Sequence, residues 1–215
     1  MKTLIFDMDG VIIDSEYTYL ESKTEILHEA GHKKEISYQY QFMGTTYDFM
    51  WQTMKDELNL PESIDFYINE MNQKRAEMIK RDGVIPIKGV QAFIKELYEA
   101  GFTLGVASSS PKREIELAMN ELNIGQYMSA LVSGEEVEHS KPEPDVFLKA
   151  AELLGVDPTE CIAIEDTKNG SLSAHRAGMY VIGFANPDYP EQDLSVCNDK
   201  VSSFDQIDIQ SLLDK

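Results

Sequence analysis

Apolar positions along the chain fall into two rhythms. Short unbroken runs (Leu4 to Phe6, Thr103 to Ala107, Ala130 to Val132, Cys161 to Ile164, Tyr180 to Phe184) sit between Gly, Pro and acidic residues, and they predict buried strands. Between them apolar residues recur at helical spacing. Helices are predicted over about Gln91 to Ala100 and Lys112 to Leu122, and, after the run Cys161 to Ile164, up to about Ala177. Another follows Pro144, with Val146, Phe147, Ala150, Leu153 and Leu154 facing inward. Strands alternating with helices mean parallel βαβ units, hence an α/β fold with a Rossmann-like doubly wound parallel sheet.

The stretch from Asp14 to about Gly83 breaks this alternation. It predicts only helical pieces: Glu16 to about Ala30, a second piece to about Phe42, and a break at Gly44-Thr45-Thr46. A helix with Tyr47, Met50, Met54 and Leu58 on one face follows, then one from about Ile64 to Lys80. The expected organisation is a core from residues 1–14 and 84–215, with an inserted helical bundle over 15–83.

Composition narrows the partners. With 42% apolar residues among 215 the chain can bury a full core. A net charge of −19 opposes binding to nucleic acid and to anionic membrane surfaces. The chain enters its first strand directly after Met-Lys, with no signal-like or membrane-spanning run, and a cytoplasmic protein is expected. Cys161 and Cys197 lack metal-type spacing, and Cys161 opens an apolar run as a buried thiol would. Nothing suggests an obligate partner, so the expectation is a monomer.

Candidate chemistry sits at the predicted strand ends. The first strand delivers Asp7 and Asp9 just before Gly10. With 38 acidic residues in 215, an acid-x-acid triplet should occur about seven times by chance, so placement rather than spacing carries the signal. In open α/β sheets the ligand crevice lies outside the carboxyl ends of the strands. The second strand leads into Ser108-Ser109-Ser110 before Pro111, hydroxyls and amides suited to a phosphate or to a plain helix cap, with Pro111 expected at the first helical position. Lys141 follows the third strand between Ser140 and Pro142. Glu165 and Asp166 end the fourth, before Asn169 and Gly170. Four acids converging on one crevice repel one another unless a cation joins them, and oxygen-only ligands select Mg²⁺.

In this order the motifs resemble the haloacid dehalogenase superfamily, in the branch of β-phosphoglucomutase and sugar-phosphate phosphatases. Phe6-Asp7-Met8-Asp9-Gly10-Val11 resembles its first motif, Val106-Ala107-Ser108-Ser109 its second, Lys141-Pro142 its third, and Ile164-Glu165-Asp166-Thr167 with Gly170 its fourth. The inserted bundle resembles the small helical cap of that branch. The resemblance implies an Mg²⁺-dependent phosphatase of a small phosphorylated metabolite, a sugar phosphate. Asp7 would be the nucleophile and Asp9 the general acid and base. Asp7, the backbone oxygen of Asp9, and Asp166 would hold the metal, with Glu165 close by. Ser108, Ser109 and Lys141 would bind the phosphoryl group, Gly10 and Asn169 would support the loops, and the cap would close over the site. Substrate choice would fall to Ser15, Tyr19, Thr45, Thr46 and Tyr47.

Departures from the mutase pattern favour hydrolysis. Tyr19 stands where β-phosphoglucomutases carry a His, Tyr47 where they carry an Arg, and Pro111 where they offer a polar contact. The mutase is the alternative. A dehalogenase would have no need of Asp9 or of the Glu165-Asp166 pair. A phosphonatase would need a cap lysine, for which Lys23 is the candidate. A phospho-receiver module would lack the insert; a catalytically dead binding protein is a further alternative, although no motif residue is missing.

Overall fold

The structure, a computed structural model, describes residues 2–43 and 45–213. The Gly44 break lies outside the described residues. The chain divides into two compact units, Met1–Asp14 with Val84–Lys215, and Ser15–Gly83.

The first unit is built on parallel strands β1 (Thr3–Phe6), β2 (Thr103–Ser108), β3 (Met128–Ser133), β4 (Cys161–Glu165), β5 (Tyr180–Phe184) and β6 (Asp199–Val201), in the order β3-β2-β1-β4-β5-β6. Order reverses between β1 and β4, and that switch point is where a ligand crevice opens in such a sheet. Successive side chains of β1 point to opposite faces. Leu4 and Phe6 join a layer with Phe93, Val106, Ile164 and Phe204, while Ile5 joins Ala107, Val132, Phe147, Ala163 and Val181 on the other face. Leu4, Ile5 and Phe6 are fully buried, worth about 1.5–3 kcal/mol each.

The flanking helices of this unit lie close to their predicted bounds, as Val90–Glu99, Lys112–Glu121, Asp145–Leu154 and Lys168–Arg176. Two details differ from expectation. Leu153 points outward and Ala151 takes the inward place, because the helix after Pro144 packs through Val146, Phe147, Ala150 and Ala151. Strand β6 and a short helix, Ile209–Leu212, were not predicted: Asp199 and Lys200 are exposed on an edge strand, where burial leaves no apolar pattern to read.

The second unit comprises α1 (Glu16–Glu29), a 3₁₀ turn (Ile36–Phe42), α2 (Tyr47–Leu58) and α3 (Ile64–Asp82). The side chain of Thr46 caps α2 and that of Ser63 caps α3, each accepting from the amide three residues on. Leu27, Trp51, Met54 and Met71 form its fully buried centre, with Trp51 stacked on Tyr67 at 5.1 Å between ring centroids. Along α2, Met50 and Met54 turn inward as the periodicity predicts, whereas Tyr47 is exposed.

Candidate active site

The site grows from the end of β1. The Asp7 amide donates to the Ile164 carbonyl at 2.9 Å, so the pairing of β1 with β4 carries one residue past the strand and fixes the Asp7 backbone. Its side chain is almost wholly buried. Such a carboxylate needs partners, and Lys141 supplies one. The Lys141 ammonium donates to Asp7 Oδ1 at 2.5 Å, Glu165 Oε1 at 2.7 Å and the Ala107 carbonyl at 3.1 Å. Its three protons thus bridge the ends of β1, β2 and β4.

The loop that presents Lys141 is itself held. Glu143 N donates to the Ser140 carbonyl at 3.0 Å, and the Lys141–Pro142 peptide is cis. Ser173 Oγ and Arg176 Nη1, both on the helix Lys168–Arg176, donate to the carbonyls of Glu143 and Pro142 at 2.6 and 3.1 Å. The ammonium also lies 4.9 Å from the Phe147 ring centroid.

Glu165 is pinned from two sides. One oxygen accepts from the Lys141 ammonium, and the other accepts from the amide and hydroxyl of Thr167 at 2.9 and 3.1 Å. Two glycines make room for the acidic pair. A Cβ on Gly170 would stand 1.6 Å from Glu165 Oε1, and one on Gly10 would stand 2.0 Å from Asp166 Oδ2. Gly10 also has φ +82°, a conformation that favours glycine.

Electrostatics follow from burial. Burial pushes the Asp7 carboxyl pKa up; Lys141 pulls the other way and favours the charged form, while Glu165 and Asp9 add to the rise. Burial opposes the charge on Lys141, yet Asp7 and Glu165 together hold its pKa above the ordinary lysine value. Asp7, Glu165 and Asp166 each offer a carboxylate oxygen, all within 4.8 Å of one another. Such an all-oxygen donor set, rich in negative charge, fits a hard divalent cation such as Mg²⁺.

Ser108 ends β2 fully buried, and Ser109 is exposed. Pro111 occupies the N-cap of the next helix rather than its first helical position. Ser110, which the sequence did not single out among three serines, donates to Asp9 Oδ2 at 2.6 Å, while Ser108 Oγ reaches that oxygen only at 3.5 Å. Asn169 is half-buried in the first turn of its helix and makes no hydrogen bond to the acidic cluster among the described residues.

Within the helical unit, Tyr47 Oη donates to Tyr19 Oη at 2.8 Å. Ser15 is buried at the start of α1, its carbonyl accepting from Thr18 Oγ1 at 2.6 Å, and Thr45 Oγ1 donates to the Phe42 carbonyl at 2.7 Å. Arg75 of α3 places its guanidinium 3.3 Å from the Tyr19 ring centroid and donates to Thr18 Oγ1 at 3.1 Å. A cation from another helix therefore stands over the Tyr19 ring. Lys23 is buried on α1, and burial brings its pKa down to about 8.

Residues 4–184 match the haloacid dehalogenase-like hydrolase family. Hexitol phosphatase B of Escherichia coli strain K12 is 30% identical over 216 residues, covering 97% of this chain and 95% of that protein. Fructose-1-phosphate phosphatase YqaB of the same strain is 29% identical over 179 residues, covering 82% and 92%. The crystal structure of β-phosphoglucomutase from Clostridium difficile superimposes with a TM-score of 0.76 at 22% identity, covering 100% of this chain and 96% of that one, which is a likeness of fold. With the buried Asp7–Lys141–Glu165 bridge at the β1/β4 switch point, the chain belongs to the haloacid dehalogenase-like hydrolases.

Proposed function

We propose that this chain is an Mg²⁺-dependent phosphatase of small phosphorylated sugars or sugar alcohols, working through an aspartyl-phosphate on Asp7. The observation that carries the reading is the Lys141 ammonium shared between Asp7 and Glu165 at the switch point of the sheet. It fixes one carboxylate oxygen of Asp7 just past the end of β1.

In the first step an Asp7 oxygen attacks phosphorus as the bond from phosphorus to the sugar oxygen breaks, and Asp9 gives its proton to that leaving oxygen. In the second, Asp9 takes a proton from water as the water oxygen bonds to phosphorus and the Asp7–phosphorus bond breaks. Phosphate leaves and both carboxyl groups return to their starting states. Lys141, Ser108 and the Ser109 amide bind the phosphoryl oxygens. Asp7, the Asp9 backbone oxygen and Asp166 would hold Mg²⁺, with Glu165 beside them. When bound, the cation supplies positive charge against the phosphoryl oxygens, where most catalysis of phosphoryl transfer lies. Ser15, Tyr19, Thr45, Thr46 and Tyr47 of the helical unit, read as a cap, choose the substrate.

The substrate class is supported by the two phosphatases above, named for hexitol phosphates and fructose 1-phosphate. Hydrolysis is favoured over a phosphosugar mutase, because the mutase likeness at 22% identity speaks to fold alone. Among the described residues no helix is long and apolar enough to cross a membrane, and the free thiols Cys161 and Cys197 fit a reducing compartment such as the cytoplasm.

The test is phosphate release with Mg²⁺ across hexitol phosphates, hexose phosphates, phosphoglycolate and nucleoside monophosphates. Repeated turnover, fastest on hexitol or hexose phosphates, supports the reading. Conversion of β-glucose 1-phosphate to the 6-phosphate without phosphate release would replace it with the mutase.

A further inference from the structure

We infer that Ser110 is a positioning residue for Asp9, its hydroxyl aiming the Asp9 carboxyl for proton transfer to the leaving oxygen. The inference rests on the proposed role of Asp9 and adds a residue to it.

The contact is short and directional, from Ser110 Oγ to Asp9 Oδ2 at 2.6 Å. What gives it force is how firmly Ser110 is built in. Its amide donates to Ser108 Oγ at 3.0 Å, and its carbonyl accepts from Ser133 Oγ at 2.7 Å. Ser133 ends β3 fully buried and belongs to a reciprocal cap, its own amide donating to Glu136 at 2.8 Å. Behind the turn, Gly134 lies so close that a Cβ there would stand 3.2 Å from Ser109 Cα. Pro111 restricts the backbone ahead. The Ser110 hydroxyl is thus carried on a backbone tied to β2, to β3 and to the turn after β3.

Asp9 is also fixed in its backbone. It pairs with Ile13 in an isolated bridge, and the Gly10 amide donates to the Ile13 carbonyl at 2.8 Å. The remaining freedom is the direction of the carboxyl, and a bond to one oxygen sets the plane of the whole group. A hydroxyl suits the task in both half-reactions, since it can donate to a carboxylate and, after rotating, accept from the protonated acid. A proton donor must lie within hydrogen-bond reach of the atom it serves, so losing the aim costs rate rather than affinity.

The rival role for Ser110 is a direct contact to the phosphoryl group, and leaving-group chemistry separates the two. A sugar alkoxide needs a proton to depart, whereas p-nitrophenolate departs without one. The experiment measures the single-turnover rate of leaving-group release, which reports phosphoryl transfer to Asp7 alone, and the KM of wild type, Ser110→Ala and Ser110→Thr with Mg²⁺, on a hexitol phosphate and on p-nitrophenyl phosphate. Ser110→Ala should lose roughly tenfold or more in that rate on the hexitol phosphate, with KM little changed and a much smaller loss on p-nitrophenyl phosphate. Ser110→Thr, which keeps the hydroxyl, should recover most of that loss. Equal losses on both substrates, or a loss confined to KM, would make Ser110 a phosphate ligand and overturn the inference; wild-type rates in Ser110→Ala would do the same. A wild-type protein that turned over neither ester would instead defeat the phosphatase reading beneath it.

Discussion

Lys141 and Asp7 are 134 positions apart in the chain and meet at 2.5 Å. Neither would be buried without the other, since an isolated charge in that place is very costly. The parallel order of β2, β1 and β4 brings them together, and the same ammonium then ties Glu165 into the pair.

Removing one partner should therefore leave charge stranded. Lys141→Met should abolish turnover and lower stability by about 3–5 kcal/mol, the cost of uncompensated buried carboxylates. The double variant Lys141→Met with Glu165→Gln should recover part of the stability and none of the activity. Urea unfolding alongside phosphate release checks both halves; equal stability of wild type and Lys141→Met would show that the bridge is not holding the site.

Gly10→Ala tests the packing around Asp166. The added methyl would overlap the carboxylate, whose oxygen lies 2.0 Å from the ideal Cβ position, at a backbone φ that also strains an alanine. Asp166 must move, so the Mg²⁺ concentration for half-maximal activity should rise by roughly tenfold or more, with the loss partly overcome at high Mg²⁺. An unchanged Mg²⁺ dependence would place the cation elsewhere.

Much of this arrangement was legible in the sequence, and the gaps have physical reasons. Burial on both faces wrote Leu4, Ile5 and Phe6 as an unbroken apolar run, so β1 and the acids after it could be placed. Strand β6 could not, because Asp199 and Lys200 face solvent at the sheet edge. Leu153 looked inward because helical periodicity names a face to within about a residue, and the helix spends that place on Ala151. Ser110 was one hydroxyl of three in a row, and only side-chain geometry separates it from Ser108 and Ser109. Arg75 gave no sequence signal at all. Its partners Tyr19 and Thr18 lie on another helix, and packing alone sets that meeting.

Lys23 makes the stability of the helical unit depend on pH. Burial, joined by Arg75 and opposed by Glu16, lowers its pKa from 10.5 to about 8. In the unfolded chain it returns to the ordinary value, so between about 8 and 10.5 the unfolded state binds more protons and stability rises with pH. Below pH 8 the amine is charged in both states and the whole penalty, about 3 kcal/mol, is present. Lys23→Met should be the more stable protein at neutral pH, by up to that amount, with the gap closing towards pH 10.5. Paired urea titrations measure it, and a gap constant with pH would contradict the assignment.

Chelation should silence turnover without unfolding the chain. Asp7 and Glu165 are held by backbone, Lys141 and Thr167. Excess EDTA should remove activity, and added Mg²⁺ should restore it fully. Circular dichroism should stay unchanged throughout. Full activity in EDTA would rule out the metal dependence.

The most direct test of the proposed chemistry is the covalent state of Asp7 during turnover. Wild-type protein mixed with a hexitol phosphate and Mg²⁺, quenched rapidly in acid and digested, should show one phosphoryl group on the peptide that carries Asp7. The label should vanish as substrate is exhausted and be absent in Asp7→Asn, which should also release no phosphate. Steady phosphate release by Asp7→Asn, or a phosphoryl group on any other residue, would contradict Asp7 as the nucleophile.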